Sequence, residues 1–195
     1  MFKFEDVKVS DNYVIREARR NDCEQIREMI KDLAEVLGVS QDQIKLDAKT
    51  LEVHGFDTTP PAFKCLVVEY TNHRTNLNNG FDGNQNNNST LVGYAFFFFT
   101  FSSWCGRELF LEDFYIEKEH QSKGIGSKLF DSIVEIAVKT DCSNLAFLVI
   151  DGNPVNAFYK RRGAVNQTKE DKFHYYLIEH EQLNKLQQKN KINGK

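Results

Sequence analysis

The chain has 195 residues, 41% of them hydrophobic and 27% charged, with a formal net charge of −3. That length and balance predict one domain with a substantial core, and the slight acidity gives a nucleic-acid role no electrostatic support. Its four cysteines, Cys23, Cys65, Cys105 and Cys142, are scattered without a Cys-x-x-Cys pair, so neither a metal site nor a disulfide scaffold is expected.

Tyr13 to Arg16 is a short strand candidate. Asn21 or Asp22 can then cap a helix whose apolar positions Ile26, Met29, Ile30, Leu33, Ala34 and Leu37 recur at helical spacing, with Gly38 ending it. A shorter helix is predicted over 47–54, before the Pro60-Pro61 break, and a strand over Phe63 to Tyr70, helped by Val67 and Val68. Eight of the seventeen residues from Asn72 to Asn88 are asparagine. Such a segment buries too little apolar area to offset its ordering entropy, so a mobile loop insertion is expected over 72–90.

Strand character returns over Leu91 to Phe101 and Glu108 to Glu117, and an amphipathic helix is predicted over Lys128 to Thr140. Leu145 to Ile150 is a continuous apolar run, the pattern of a central strand buried on both faces. A short helix over Asn156 to Arg162, a strand over Phe173 to Ile178, a terminal helix from Glu179 to about Lys189 and a polar tail over 187–195 complete the reading. The class is α+β, with strands mostly antiparallel early and a strand–helix–strand unit later. Phe96 to Phe99, the most hydrophobic run, is far too short to cross a membrane, and Met1 to Ser10 is charged without an apolar signal core. A cytoplasmic protein with no membrane partner is expected.

Between that later strand and helix lies Gln121-Ser-Lys-Gly-Ile-Gly-Ser127. A glycine turn opening into a helix aims several backbone N–H groups in one direction at the positive end of the helix dipole, which suits a pyrophosphate; the plain alternative is a connector. Gly124 and Gly126 would let the backbone close on phosphates without a Cβ in the way.

Gln121, Gly124 and Gly126 match the Arg/Gln-x-x-Gly-x-Gly/Ala pattern at the acetyl-CoA site of the Gcn5-related N-acetyltransferases. Leu111-Glu-Asp-Phe-Tyr115, Phe147-Leu-Val149 and Phe158-Tyr-Lys-Arg-Arg-Gly-Ala164 extend the match from about Tyr13 to Leu186. Together they make the chain similar to the diamine and polyamine branch, which includes spermidine/spermine N1-acetyltransferase and thialysine Nε-acetyltransferase. The resemblance implies a single N-acetyltransferase domain over 1–195. Its mixed, mostly antiparallel sheet would be flanked by helices, with a bulge and a splayed strand pair holding acetyl-CoA. It further implies direct transfer to the primary amine of a small diamine, polyamine or lysine-like molecule in a ternary complex, without a metal, and a homodimer. A protein lysine or N-terminal acetyltransferase and a non-catalytic CoA-binding module are the alternatives.

Residue roles follow from the same resemblance. Tyr159 is the expected general acid, since a phenol keeps its proton at neutral pH yet can give it to a leaving thiolate. Glu112 would hold the ammonium and accept its proton through water, whereas Asp113 is either a second amine contact or an outward strand charge. Being adjacent in a strand, the two are expected on opposite faces. Phe114, Tyr115 and Ile116 would offer backbone to the pantetheine amides as an added strand does. Gln121, Ser122, Lys123, Gly124, Ile125, Gly126 and Ser127 would form the phosphate cradle, with Ser127 binding phosphate, capping the helix, or both. Asn153 or Asn156 would contact the pantetheine arm; Trp104, Ala146, Phe147 and Leu148 would line the amine pocket. Polyamine-specific relatives carry carboxylates where this chain has Leu37-Gly38-Val39 and Ser102-Ser103.

Overall fold

The computed structural model describes residues 3–72, 89–171 and 175–193. The asparagine-rich stretch expected to form a mobile insertion lies almost wholly outside the described residues, as do the last two residues of the polar tail expected over 187–195. Residues Met1–Leu148 form one unit and Val149–Lys195 a second.

The first unit is built on a six-stranded sheet in the order β1-β2-β3-β4-β5-β6, formed by Val7–Ser10, Tyr13–Glu17, Lys64–Thr71, Ser89–Ser102, Gly106–Ile116 and Asn144–Phe147. The first four pairings are antiparallel and the last is parallel, the crossover being helix α3, Ile125–Lys139. This is the expected strand–helix–strand unit. Helix α3 starts three residues earlier than its apolar periodicity predicted, because the turn glycine itself, not Ser127, is its N-cap.

β3 is buried as a continuous run, Cys65 through Val68, because both faces of the sheet are covered. On one face Cys65, Val67 and Tyr94 pack with Cys23, Ile26 and Met29 of helix α1 (Cys23–Val36) and Leu51 of helix α2 (Ala48–Glu52). The alternate residues Leu66, Val68, Ala95 and Phe97 are equally buried on the other face, and Phe114 there meets Phe130 of α3 edge-on at 6.1 Å. Gly38, at φ 71°, ends α1 as expected, Val39 donating back to the Ala34 carbonyl at 2.8 Å. Asp47 caps α2 by accepting from Thr50 N–H at 2.7 Å.

Asp22 precedes α1 as expected, but its side chain does not cap that helix. The carboxylate takes a two-pronged grip from Arg16, Nη1 at 2.7 Å and Nη2 at 3.0 Å, and accepts from Arg19 N–H at 2.6 Å. Arg16 Nε also donates to Glu69 at 2.5 Å. Burial opposes ionisation of Asp22, but its bonds from Arg16 and Arg19 outweigh that and hold its pKa below the usual carboxylate value.

Two strand expectations are corrected. β6 ends at Phe147 rather than Ile150 and is half-buried at the sheet margin, since only β5 pairs with it among the described residues. In the second unit, the described part of the strand expected over 173–178 is not strand: residues 175–179 have no regular structure, and Tyr175, Tyr176, Leu177 and Ile178 are exposed. Apolar sequence there found no sheet neighbour to pair with among the described residues. That unit instead contains helices α4 (Asn156–Lys160), α5 (Gln167–Glu170) and α6 (His180–Asn193).

Candidate active site

β5 carries two irregularities at one point. On its β4 side the register runs Phe97↔Leu111 and then Phe96↔Asp113, so Glu112 is the extra residue of a β-bulge. On its other side, pairing with β6 stops at Leu111↔Phe147, while β5 continues to Ile116. Beyond the bulge the two parallel strands therefore part, and the β6-facing edge of Glu112–Ile116 is left without a β6 partner. That is the splay which the resemblance implied.

The bulge changes the geometry of the two acids. Leu111 is buried opposite Phe97 and Phe114 contacts Phe130, so both lie on the α3 face with two residues, not one, between them. Glu112 and Asp113 therefore do not alternate across the sheet, which corrects the expectation of opposite faces. Glu112 is exposed, whereas Asp113 is half-buried and accepts a hydrogen bond from Tyr94 Oη at 3.2 Å. Burial, then the charge of Glu112, pushes the Asp113 carboxyl up to about 6, against a smaller opposing effect of the Tyr94 bond.

A raised carboxyl pKa means that the folded chain binds the proton more tightly than the unfolded chain does. Stability associated with Asp113 is therefore present at about pH 4 and lost as pH rises through about 6. Asp113→Asn should stabilise the protein at about pH 8 and leave it unchanged at about pH 4, as measured by urea denaturation at both values.

After β5 the chain turns through Lys118–His120 to the glycine loop. Gln121 Nε2 donates to the Ile116 carbonyl at 2.8 Å, tying the loop back to the strand end. Ser122, at φ 59°, and Gly124, at φ 78°, both take left-handed backbone and reverse the chain into α3. The first helix-closing bond is Lys128 N–H to Gly124 C=O at 3.1 Å, so the N–H groups of Gly124, Ile125, Gly126 and Ser127 have no intrahelical acceptor. Ser127 is the third helical residue, so its capping alternative is withdrawn.

The residues fit an anionic, peptide-like cofactor. A Cβ built on Gly126 would meet only Ile116 and Phe114 side-chain atoms, at 3.8 and 3.9 Å, ordinary contact distances. Packing within the chain therefore does not require glycine there, whereas a phosphate drawn against the backbone would. Gly93 is different: its missing Cβ lets β4 lie against the Tyr115 carbonyl and Ile116 side chain.

In the second unit, Asn153 Oδ1 accepts from Val155 N–H at 3.0 Å, and Asn156 Nδ2 donates to the Asn153 carbonyl at 2.9 Å. Both asparagines thus shape the turn into α4. Tyr159, on α4, is 7% exposed, and burial pushes its phenol up to about 12. Arg162 caps the ring of Phe158 at 3.7 Å, and Gly163 ends the turn at φ 87°.

Residues 49–164 match the Acetyltransferase (GNAT) family. The chain belongs to that family. It is 34% identical over 174 residues to the thialysine N-epsilon-acetyltransferase of Bos taurus, covering 89% of this chain and 96% of that protein. It is 33% identical to the human spermidine/spermine N(1)-acetyltransferase-like protein 1, covering 89% of this chain but 23% of that longer one. An integron cassette protein of V. cholerae shares the fold at TM-score 0.62 and 18% identity, covering 91% of this chain and 98% of that one. An aminoglycoside acetyltransferase from a soil metagenome also shares it at TM-score 0.62, with 14% identity, covering 88% and 99%. The protein is thus an N-acetyltransferase, of a family whose cosubstrate is acetyl-CoA.

Not every site residue expected in this acetyltransferase is brought to the splay. Ala146 and Phe147 sit at its closed end, and Leu148 is exposed just beyond. Trp104 is 88% exposed at the β4–β5 turn, where Ser102 Oγ accepts from Trp104 N–H at 3.2 Å. The turn begins five ladder rows from Leu111, about 17 Å at strand spacing, so Trp104 and Glu112 are not neighbours within one chain. Sequence reasoning missed Tyr94, the buried partner of Asp113; an aromatic hydroxyl in the most apolar strand was the available signal.

Proposed function

We propose that this acetyltransferase transfers the acetyl group of acetyl-CoA to the primary amine of a small diamine or lysine-like molecule. The observation that carries the reading is the coincidence of three features on one strand: the bulge at Glu112, the end of β6 pairing after Leu111, and the glycine loop that follows Ile116. The open edge at Phe114, Tyr115 and Ile116 suits the pantetheine amides, and the loop from Gln121 to Ser127 suits the pyrophosphate. Acetyl-CoA, when bound, supplies the thioester acetyl group.

The chain's own residues supply binding and proton transfer. An amine must be neutral to attack, and Glu112, exposed beside the parted strands, would accept its proton through water. Tyr159 would return a proton to the departing sulfur, and its raised pKa keeps it protonated at neutral pH for that task. Asp113 would add negative charge behind Glu112, while Asn153 or Asn156 would meet the pantetheine arm. Trp104 would reach an amine pocket only from a different chain, in keeping with the homodimer that the resemblance suggests. The family match crosses from the first unit into the second, which supports a single catalytic domain over 1–195. No helix among the described residues is long and apolar enough to cross a membrane, and a cytoplasmic location is part of the proposal.

Gly126→Val tests the loop assignment. A branched side chain would enter the cradle while meeting little of the protein itself, so acetyl-CoA affinity should fall about tenfold or more with melting nearly unchanged. Calorimetric titration with CoA reads the outcome, and equal affinity with equal stability would remove the loop from this role.

A further inference from the structure

Two residues beside the glycine loop, Tyr13 and His120, are used by none of the roles above. The Tyr13 hydroxyl, on β2, shares a hydrogen bond with His120 Nδ1 at 2.8 Å and accepts from Lys123 Nζ at 3.4 Å. Around this hydroxyl, the Tyr13, Tyr70 and His120 rings enclose one another, with centroids 5.0 Å apart for the tyrosines and 5.6 and 4.9 Å from His120. Nε2 of His120 faces the Glu117 carboxylate at 4.0 Å, which favours the tautomer with its proton there and leaves Nδ1 free to accept. Burial, then the Lys123 charge, holds His120 below its ordinary pKa against the pull of Glu119, in keeping with a neutral acceptor.

The result is a directed chain from Lys123 through Tyr13 to His120. It joins the sheet, the 118–120 turn and the residue immediately before Gly124. Lys123 is exposed, and among the described residues its ammonium is met by this neutral hydroxyl and by no carboxylate. A lysine tethered by a hydroxyl keeps its full charge for an anion but loses much of its rotational freedom, so less entropy remains to be lost when the anion arrives.

Resting on the acetyl-CoA reading of the loop, we propose that Tyr13 and His120 are positioning residues. They hold the Lys123 ammonium at the α3 N-terminus, where it meets a phosphate of the cofactor. Their action is on cofactor affinity alone, because neither touches the reacting atoms.

Tyr13→Phe removes one oxygen and keeps the ring between Tyr70 and His120. It should raise KM for acetyl-CoA about three- to tenfold with kcat at saturation held within about twofold, the loss of one hydrogen bond to a charged group. His120→Phe should do the same, whereas His120→Asn, whose Oδ1 can accept in place of Nδ1, should recover most of the affinity. Lys123→Ala should lose as much as Tyr13→Phe, and the double variant Tyr13→Phe/Lys123→Ala should lose no more than Lys123→Ala alone. Calorimetric Kd values for CoA should follow the same pattern. An unchanged KM in Tyr13→Phe, or an equal further loss from it in the Lys123→Ala background, overturns the proposal. A wild-type chain that binds no CoA overturns the underlying reading instead, which the wild-type titration shows separately.

Discussion

Tyr159→Phe should lower the rate of acetyl transfer by about tenfold to a thousandfold while acetyl-CoA affinity stays near that of the wild type. The substitution deletes one oxygen from a side chain that is 7% exposed, so packing of the Phe158–Tyr159 pair, with ring centroids 5.1 Å apart, is kept. What is lost is the proton. Burial pushes the phenol up to about 12, so at neutral pH nearly every molecule holds it, and the amine side of the reaction, not the acid, should then limit the rate at low pH. Single-turnover measurement of thiol release isolates this step from product release. An unchanged rate there would take Tyr159 out of the acid role.

Asp22→Ala should be the most damaging substitution for stability, by about 3–5 kcal/mol, because it strands a buried guanidinium. Arg16 is 6% exposed and divides its donors between Asp22 and Glu69, with one further bond from Nη1 to the Glu17 carbonyl at 3.1 Å. Glu69 alone cannot replace the two-pronged grip, and Arg19 N–H loses its acceptor as well. The folded-state pKa of Asp22 is depressed, so this stability is present above the usual carboxylate value and is lost as pH falls through the folded one. Urea denaturation at neutral pH reads the cost directly, and a loss under about 1 kcal/mol would show that the cluster contributes little net energy.

Both residues show what a linear reading can and cannot reach. The short helix that carries Tyr159 was legible because it is local in the sequence, where sequence order is spatial order. Asp22 was legible as a helix-start residue, but its partner Arg16 lies six residues back, and the second acceptor of Arg16, Glu69, lies 53 residues beyond that arginine, where only strand pairing brings it close. The bulge at Glu112 is a similar case. Regular alternation from Leu109 and Leu111 would have buried Asp113 with them, and one inserted residue avoids that by restoring the α3 face at Phe114. Two successive acids between two apolar trios are the trace it leaves in the sequence.

Strand lengths were less legible than strand existence. β1 was missed although Val7-Lys-Val-Ser10 alternates, since four residues give a weak pattern. The run Leu145 to Ile150 looked uniform, yet pairing ends at Phe147, level with the point where β5 bulges against β4, a property of the neighbouring strand. The same physics makes the site: the residue that spoils the ladder on one side of β5 accompanies the opening on the other.

The central claim is tested most directly by kcat/KM with acetyl-CoA across spermine, spermidine, diaminopropane, lysine and thialysine, with mass detection of the acetylated amine. Each carboxylate meeting an ammonium contributes roughly 1–3 kcal/mol, and a long polyamine needs such groups spaced along it. Beyond Glu112 and Asp113, this chain has Leu37-Gly38 and Ser102 at the matching positions, and Ser102 is engaged in its own turn. The predicted result is acetyl-CoA-dependent acetylation of a short diamine or lysine-like amine, thialysine included, at higher kcat/KM than spermine. No acetylation of any of the five amines by a chain that binds acetyl-CoA would contradict the account, and a clear lead for spermine would contradict its choice of acceptor.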